Sequence, residues 1–460
     1  MSAYPSRPSF SDIEIAPWND IVGKQEALLA QQLQYLNAHS AFYKTKLADA
    51  KVDLSAIKRI RDLAQIPFTY KHELRSSLAA APLLGLHQAA SQSDIVQIQA
   101  SSGTTGSPAY VGLTRSDRQA WSEMTARGLY ACGVRAHDLV LHAFSMSKGF
   151  VGGIPMFQGV AHLGAIDIPI GADGGADRLL IAARDARPRC IVGTPNFLLY
   201  LASIAPNIIG MPATDLGVER LIVGGEPGGG NPAIRQAMET AWGAKCCEFM
   251  GGTDLGCVYW AESDDQSGMY FVGPDYIIAE LIDPETGEPI AWCEGATGEL
   301  VYTSLQRQAS PVLRFRSGDH VQVTAMGGTG GRTTPAIRCF GRTDDMLIVR
   351  GVNIFPSAIQ DVVSAMVPTV GGAVRVVADF EGHTTQSNLK LLVERANGQS
   401  EELDTQMARQ VETRVRNALA VKVDVRMVSY GFFAAPGAQK VALTLRKMPD
   451  LTAASATGDR

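Results

Sequence analysis

Between Ala100 and Pro108 the chain reads Ala-Ser-Ser-Gly-Thr-Thr-Gly-Ser-Pro, five hydroxyl residues interspersed with two glycines. Gly103 and Gly106 let the backbone fold back on itself, so the hydroxyls and N–H groups of Ser101, Ser102, Thr104, Thr105 and Ser107 can ring one concavity that suits phosphate. No lysine follows Gly106, so this is not the lysine-bearing phosphate loop of the common nucleotide-binding pattern. A flexible surface loop has the same composition. Further on lie four more stretches rich in glycine and charge: Gly224-Gly-Glu-Pro227, Gly251-Gly-Thr-Asp254, Arg314-Phe-Arg-Ser-Gly-Asp319, and Gly341-Arg-Thr-Asp-Asp345 with Arg350-Gly-Val-Asn-Ile-Phe-Pro356. Singly each has a plain alternative. Asp319 can cap a turn, Asp254 can open a helix, and Arg342 can pair with Asp344 at the surface.

The elements that must carry these residues follow from periodicity. Leu29, Leu33 and Leu36 keep helical spacing and Phe42-Tyr43 extends the stripe, which predicts one amphipathic helix from Gln25 to Leu47. Pro67-Phe-Thr-Tyr-Lys71 breaks that pattern before another helix, and Ser116-x-x-Gln119 reads as a capping box opening a helix that stops at Gly133. Short apolar runs at 139–144, 165–168, 190–193 and 221–224 then alternate with amphipathic segments at 175–187, 196–204 and 232–242. Such alternation predicts right-handed crossovers and a parallel sheet covered on both faces, with ligands beyond the carboxyl ends of its strands. The stretches 224–230 and 250–254 occupy such ends.

From Tyr270 the pattern changes to strands with tight turns, at 277–282, 299–302 and 312–315, with Asp283-Pro-Glu-Thr-Gly287 as one turn. Beyond Asp344 come a helix at 357–366, strands at 374–377 and 389–393, a long helix at 401–419, and strands at 421–428 and 441–445. The expected fold is α/β. A large domain, 1–343, has parallel-rich sheets covered by helices and a β-rich subdomain over 270–338. A small mobile α+β domain spans 344–448, and the polar tail 449–460 is read as disordered.

Composition excludes several classes. The 460 residues are 19% charged with a net charge of −5, so no basic field suits nucleic acid. No apolar run approaches the roughly 18 residues that cross a bilayer, and the polar start, Met1 to Arg7, lacks the apolar core of a signal peptide, so a soluble cytoplasmic protein is expected. Seven scattered cysteines with no Cys-x-x-Cys predict reduced, mostly buried thiols. A metal site at Cys246, Cys247 and Cys257 requires folding to gather them with Cys339.

In order and separation the five stretches resemble the adenylate-forming enzymes (acyl-CoA synthetases, luciferases and peptide-synthetase adenylation domains). The resemblance is strongest to the phenylacetate–CoA ligase family, through Ser-Ser-Gly-Thr-Thr-Gly, Gly-Glu-Pro, Phe42-Tyr43, Pro67 to Lys71 and the run from Gly341 to Pro356. It implies ATP, Mg²⁺ and CoA as cofactors and a small carboxylic acid as substrate, activated as acyl-AMP and passed to CoA. On this resemblance Ser101, Ser102, Gly103, Thr104, Thr105 and Gly106 hold phosphates. Asp254 holds Mg²⁺ as a catalytic residue, within a segment with Gly251, Gly252 and Thr253 that joins the nucleotide site. Gly225, Glu226 and Pro227 flank the adenine, Asp319 accepts from the ribose hydroxyls, and Arg342 contacts the nucleotide.

Asp344 matches the family's hinge, and Gly351 a glycine beside the CoA channel. Lys440 matches the catalytic lysine that reaches the forming acyl phosphate, with Lys447 a weaker rival; a solvated charge at a strand start is the plain reading of Lys440. The acyl pocket is assigned to Phe144, Met146, Phe150, Phe197 and Met250, with Pro195 beside them and Lys148 the nearby cation. An aryl or arylacetic acid fits such a lining. The chain departs from the family at Ser107, where relatives often carry lysine, at Met250 for tyrosine, at Asp254 for glutamate and at Gly228 for tryptophan. These departures leave open transfer to a carrier protein or amine, and a catalytically impaired adenylate-binding regulator. Relatives in this branch are often dimers, so a homodimer is expected, with no nucleic-acid or membrane partner.

Overall fold

The computed structural model describes residues 9–101, 108–147, 149–226, 228–342, 345–350, 352–433, 442–449 and 451. They divide into two compact units, one of Met1–Gly225 with Met238–Arg338, the other of Glu226–Ala237 with Cys339–Arg460.

The first unit opens with helices α1 (Trp18–His39), α2 (Ala41–Asp49) and α3 (Lys71–Ala80), then a hairpin of β1 (Ile95–Ala100) and β2 (Tyr110–Thr114) that leads into α4 (Arg115–Ala131). Strand and helix then alternate through β3 (Leu139–His142), α5 (Ile154–Leu163), β4 (Ile166–Ile168), α6 (Ala176–Ala186), β5 (Cys190–Gly193), α7 (Pro195–Ile209), β6 (Arg220–Val223), α8 (Pro232–Trp242) and β7 (Lys245–Gly252). The strands β8 (Gly256–Ala261), β9 (Met269–Phe271), β10 (Ile277–Ile282), β11 (Pro289–Ile290), β12 (Thr297–Ser304), β13 (Phe315–Met326) and β14 (Pro335–Arg342) follow.

These strands form one twelve-stranded sheet in the order β11-β10-β12-β13-β14-β9-β8-β7-β6-β5-β3-β4. The pairs from β4 through β3, β5 and β6 to β7 are parallel, as the alternating pattern requires. At β7 the sense reverses, because a three-residue turn to β8 can only make an antiparallel pair. The β-rich stretch after Tyr270 therefore extends the same sheet.

Three local expectations are corrected. The predicted single helix from Gln25 to Leu47 is two helices broken at Ser40, whose extended backbone (φ −101°, ψ 111°) caps α2 through its hydroxyl and Tyr43 N–H. The predicted Ser116/Gln119 box is displaced to Thr114 and Asp117: Thr114 Oγ1 accepts from Asp117 N–H at 3.2 Å, and Asp117 accepts in return from Thr114 N–H at 3.0 Å. Asp117 wins because it also accepts the N–H groups of Gln308 and Ala309, tying the helix start to a remote loop. The strand expected at 312–315 begins only at Phe315, since Val312 and Leu313 turn inward as core while Arg314 adopts φ +44°.

The second unit carries β15 (Leu347–Val349), β16 (Val352–Ile354), α9 (Pro356–Ser364), β17 (Val374–Val377), β18 (Thr384–Thr385), β19 (Leu389–Glu394), α10 (Asp404–Leu419), β20 (Val423–Val428) and β21 (Thr444–Leu445). Its four-stranded sheet runs β20-β19-β17-β21, and a three-stranded one runs β16-β15-β18. Met407, Val411 and Val415, spaced by four, present one face of α10 to a core completed by Ile359, Val363, Val376 and Leu391. Asn231 is drawn into this unit by the hydrogen bond its amide donates to Asp361.

Candidate active site

The carboxyl ends of β3, β5, β6 and β7 lie side by side, and the segments 224–225 and 250–254 lie at two of them, while Asp319 stands on β13, beyond β8, β9 and β14 in the sheet. Gly224 follows β6 where a Cβ would stand 2.7 Å from the Phe249 carbonyl, and Gly225 turns the chain at φ +83° beside Phe144 and Phe150. At the end of β7 a bulge separates Met250 from Gly252. A Cβ on Gly251 would lie 1.7 Å from the Cys257 carbonyl oxygen, so only glycine allows this tight hairpin. Thr253, Asp254 and Leu255 form its turn, closed by Leu255 N–H donating to Gly252 at 3.0 Å.

Asp254 is met there by Lys71, whose Nζ donates to Oδ2 at 3.2 Å; the two side chains are 40% and 20% exposed. Lys71 is the first residue of α3, and its approach is set two residues earlier. Thr69 N–H donates to the Arg314 carbonyl at 2.8 Å, Arg316 N–H donates to the Thr69 carbonyl at 3.0 Å, and Thr69 Oγ1 donates to Leu313 at 2.6 Å. The 67–71 segment is thereby stitched to the start of β13 while its lysine reaches the turn after β7. His87, which feels the charge of Asp254, has its imidazole pushed down to about 4 by burial, so it is neutral at pH 7. Its Nδ1 lies 2.8 Å from Ser77 Oγ.

Asp319 stands on β13 at a second interruption. Glu299 pairs with His320 and Val301 with Arg316, so Leu300 faces three residues, Ser317, Gly318 and Asp319, which bulge out of the ladder. Gly318 takes φ +78°, Ser317 Oγ donates to the Leu300 carbonyl at 2.9 Å, and Asp319 N–H donates back to Ser317 Oγ at 3.0 Å.

The hydroxyl-rich run joins β1 to β2 in the sequence; Ser102, Gly103, Thr104, Thr105, Gly106 and Ser107 lie outside the described residues. Its base is fixed: Ser101 N–H donates to the Ala109 carbonyl at 2.8 Å, Ala109 N–H donates to Ser101 Oγ at 2.9 Å, and Ala100 N–H donates to the Gly149 carbonyl at 2.9 Å. Pro227, Asp344, Gly351, Lys440 and Lys148 also lie outside the described residues. Glu226 is buried in the second unit, and Arg342 ends β14.

Of the predicted acyl pocket, Phe144 and Phe150 meet, with ring centroids 6.1 Å apart. Phe249, which the sequence reading missed, completes the cluster edge-on to Phe144 at 5.9 Å. Met250, its neighbour, points to the other face of β7 opposite Trp260. Phe197 stacks on Tyr200 along α7, and Met146 lies where a Cβ on Gly171 would come within 2.6 Å of its Cγ. Asp173 grips the loop between them, accepting from Ser145 Oγ and from the N–H groups of Met146 and Ser147. Burial pushes its carboxyl up, but these hydrogen bonds outweigh that and hold it below the ordinary carboxylate range.

Five of the cysteines are buried free thiols, and burial pushes Cys190 and Cys257 up to about 12. Among the described residues no three His, Cys, Asp or Glu side chains gather in a way that would hold a metal, and no helix is long and apolar enough to cross a membrane.

The model of the AMP-binding enzyme family matches residues 25–306, and that of the AMP-binding enzyme C-terminal domain matches residues 351–440. The chain belongs to the AMP-binding enzyme family, within the branch of the phenylacetate–CoA ligases. It is 32% identical over 390 residues to phenylacetate-coenzyme A ligase of Thermus thermophilus, covering 83% of each chain. It is 28% identical over 416 residues to the phenylacetate-coenzyme A ligase of Escherichia coli, covering 89% of this chain and 92% of that one. Among solved structures it is similar to 2-hydroxyisobutyryl-CoA ligase in the postadenylation state in complex with 2-HIB-AMP, with a TM-score of 0.88, 27% identity, and coverage of 97% and 94%.

Proposed function

We propose that the protein activates an aryl or arylacetic acid for thioester formation, with Asp254 and Asp319 as the two carboxylates that seat the nucleotide. It is an AMP-forming acid–CoA ligase: the substrate carboxylate attacks the α-phosphorus of ATP, pyrophosphate leaves, and the thiol of CoA then displaces AMP from the acyl-AMP. The observation that carries the reading is the pair of strand interruptions, at 251–254 and 317–319, each offering one aspartate, with the 67–71 segment tied to both strands.

A lone carboxylate on an open turn fits Mg²⁺, which usually takes one or two carboxylates and completes its shell with phosphate oxygens and water. Asp254 would hold the ion there, and the ion would supply charge neutralisation for the phosphates. Asp319, an acceptor-only group held by its bulge, receives the ribose hydroxyls. On the family resemblance the N–H groups and hydroxyls of the 101–106 run donate to phosphate. On the family resemblance Lys440 supplies the ammonium at the acyl phosphate, Asp344 is the hinge, and Gly351 leaves room for the thiol. Lys440→Ala should then abolish adenylation and largely spare thioester formation from supplied acyl-AMP; equal loss of both halves contradicts the assignment.

Support for an aromatic acid comes from the Phe144–Phe150–Phe249 cluster and from the phenylacetate ligases the chain is similar to. A short branched hydroxy acid is the second reading. The tight ring packing and the likeness to 2-hydroxyisobutyryl-CoA ligase favour it. Pyrophosphate release and acyl-CoA formation, measured over benzoate, phenylacetate, 2-hydroxyisobutyrate and long-chain fatty acids, test both. The first two acids should be preferred. Preference for 2-hydroxyisobutyrate selects the second reading, and activity confined to long chains contradicts both. Acyl-AMP formed while CoA stays unmodified would point to a carrier-protein acceptor.

A further inference from the structure

At the last residue of β3, directly before the aromatic cluster, the His142 side chain is fully buried, and the side chain of Asp167 on the neighbouring strand β4 is 2% exposed. His142 Nδ1 lies 3.2 Å from Asp167 Oδ2, and Nε2 lies 2.9 Å from the carbonyl oxygen of Gly152. A carbonyl can only accept, so Nε2 carries a hydrogen; a carboxylate oxygen opposite Nδ1 requires a second proton shared between the two groups. The pair thus acts as a one-directional clamp: Asp167 orients the ring, and the ring donates to Gly152.

The clamped segment is short and connects both halves of the site. Its first residue, Gly149, accepts from Ala100 at the base of the hydroxyl-rich hairpin, and a Cβ there would come within 3.1 Å of Ala100. Its second, Phe150, packs on Phe144, and its fourth is Gly152, where a Cβ would stand 2.5 Å from the Phe150 ring and 3.2 Å from that of Phe144. Moving the Gly152 carbonyl therefore moves Phe150. An apolar pair at 142 and 167 would hold β3 to β4 as well as a buried ion pair does, because desolvation consumes most of the Coulombic gain. What an apolar pair lacks is a donor that fixes one carbonyl in one place.

We infer that His142 and Asp167 are positioning residues for acyl selectivity, locking Phe150 against Phe144 so that the pocket wall keeps one shape. This rests on the reading of Phe144 and Phe150 as acyl-pocket wall. Neither side chain touches substrate; both act through Gly152.

Asp167→Asn keeps size and shape while removing the charge that orients the ring, and His142→Gln keeps a donor without that orientation. The experiment compares KM and kcat for the preferred acid and for its homologue one methylene longer, together with KM for ATP and the Tm, in wild type, both variants, Phe150→Leu and the double variant Asp167→Asn/Phe150→Leu. Asp167→Asn should raise KM for the preferred acid about tenfold and erase most of the discrimination between the two acids, with KM for ATP changed less than about twofold. In the Phe150→Leu background the same change should add almost nothing, since the wall it positions is gone. His142→Gln should give a smaller rise of the same kind, and it decides the matter if Asp167→Asn does not fold. A lowered Tm with acid KM and discrimination unchanged, equal rises in KM for acid and ATP, or full additivity with Phe150→Leu would each overturn the inference. Failure of the wild type to activate any acid in the panel would instead overturn the functional reading on which it rests.

Discussion

Asp254, in the turn between β7 and β8, and Asp319, on β13, belong to one sheet, yet the chain secures them differently. Asp254 sits on a hairpin turn made possible by Gly251 and faces the ammonium of Lys71, a group 183 residues away in sequence. Asp319 sits on a bulge made by three residues facing one, and local hydrogen bonds through Ser317 fix its backbone. The first carboxylate is therefore held by a side-chain partner, while the backbone of the second is set by its own strand. On the proposed roles, a charge meant for a cation is kept paired until the cation arrives, and an acceptor for neutral hydroxyls is held by rigid backbone.

Experiments that break this contrast fall in order of expected size. Asp254→Asn removes the charge but not the shape, and should lower acid-dependent ATP–pyrophosphate exchange about a hundredfold to a thousandfold. A near-normal exchange rate would show that Mg²⁺ is held elsewhere. Next comes the buried imidazole of His87. His87 has its folded pKa depressed from 6.5 to about 4, so the unfolded chain binds more protons between those values and stability falls as the pH drops through that window. The loss should reach up to about 3 kcal/mol by pH 4. Tm measured from pH 7 to pH 4 should decline less steeply in His87→Gln than in the wild type; parallel curves would remove His87 from the account.

Asp319→Asn comes third. It should raise KM for ATP about tenfold or more, the scale of one charge-assisted hydrogen bond, and leave the Mg²⁺ dependence in place. A shift in Mg²⁺ dependence would merge the two carboxylates into one metal site. The smallest effect is expected from Lys71→Met. A half-exposed ion pair is worth no more than about 1 kcal/mol, so the Mg²⁺ concentration for half-maximal rate should fall by up to about fivefold. A rise would mean that Lys71 assists the nucleotide directly.

Much of this site is readable from residue order alone. Short apolar runs ending in glycine mark the carboxyl ends of β6 and β7, and the same glycines that betray a turn are those whose Cβ has no space. Helix boundaries were less legible. Thr114 displaced Ser116 as cap because Asp117 is bound from Gln308 and Ala309, a tertiary contact that no local window contains. Helix α5 escaped notice because Gly152, Gly153 and Pro155 disguise its start as loop. Lys71 read only as part of a family-like segment, and its ion pair depends on Thr69 docking onto β13. Met250 was singled out and Phe249 was not. Which of two adjacent strand residues faces the pocket is set by register, and register is fixed here by pairing with β6 and β8.

The account's central claim is that one adenosine phosphate lies along these strand ends, with its ribose on Asp319 and its phosphates toward Asp254 and the 101–108 hairpin. A crystal structure with a non-hydrolysable acyl-adenylate analogue tests it most directly. The account predicts both ribose hydroxyls within hydrogen-bond distance of the Asp319 carboxylate and the acyl group against Phe144 and Phe150. An adenylate bound with Asp319 remote from its ribose, or with its acyl group away from that aromatic cluster, would contradict it.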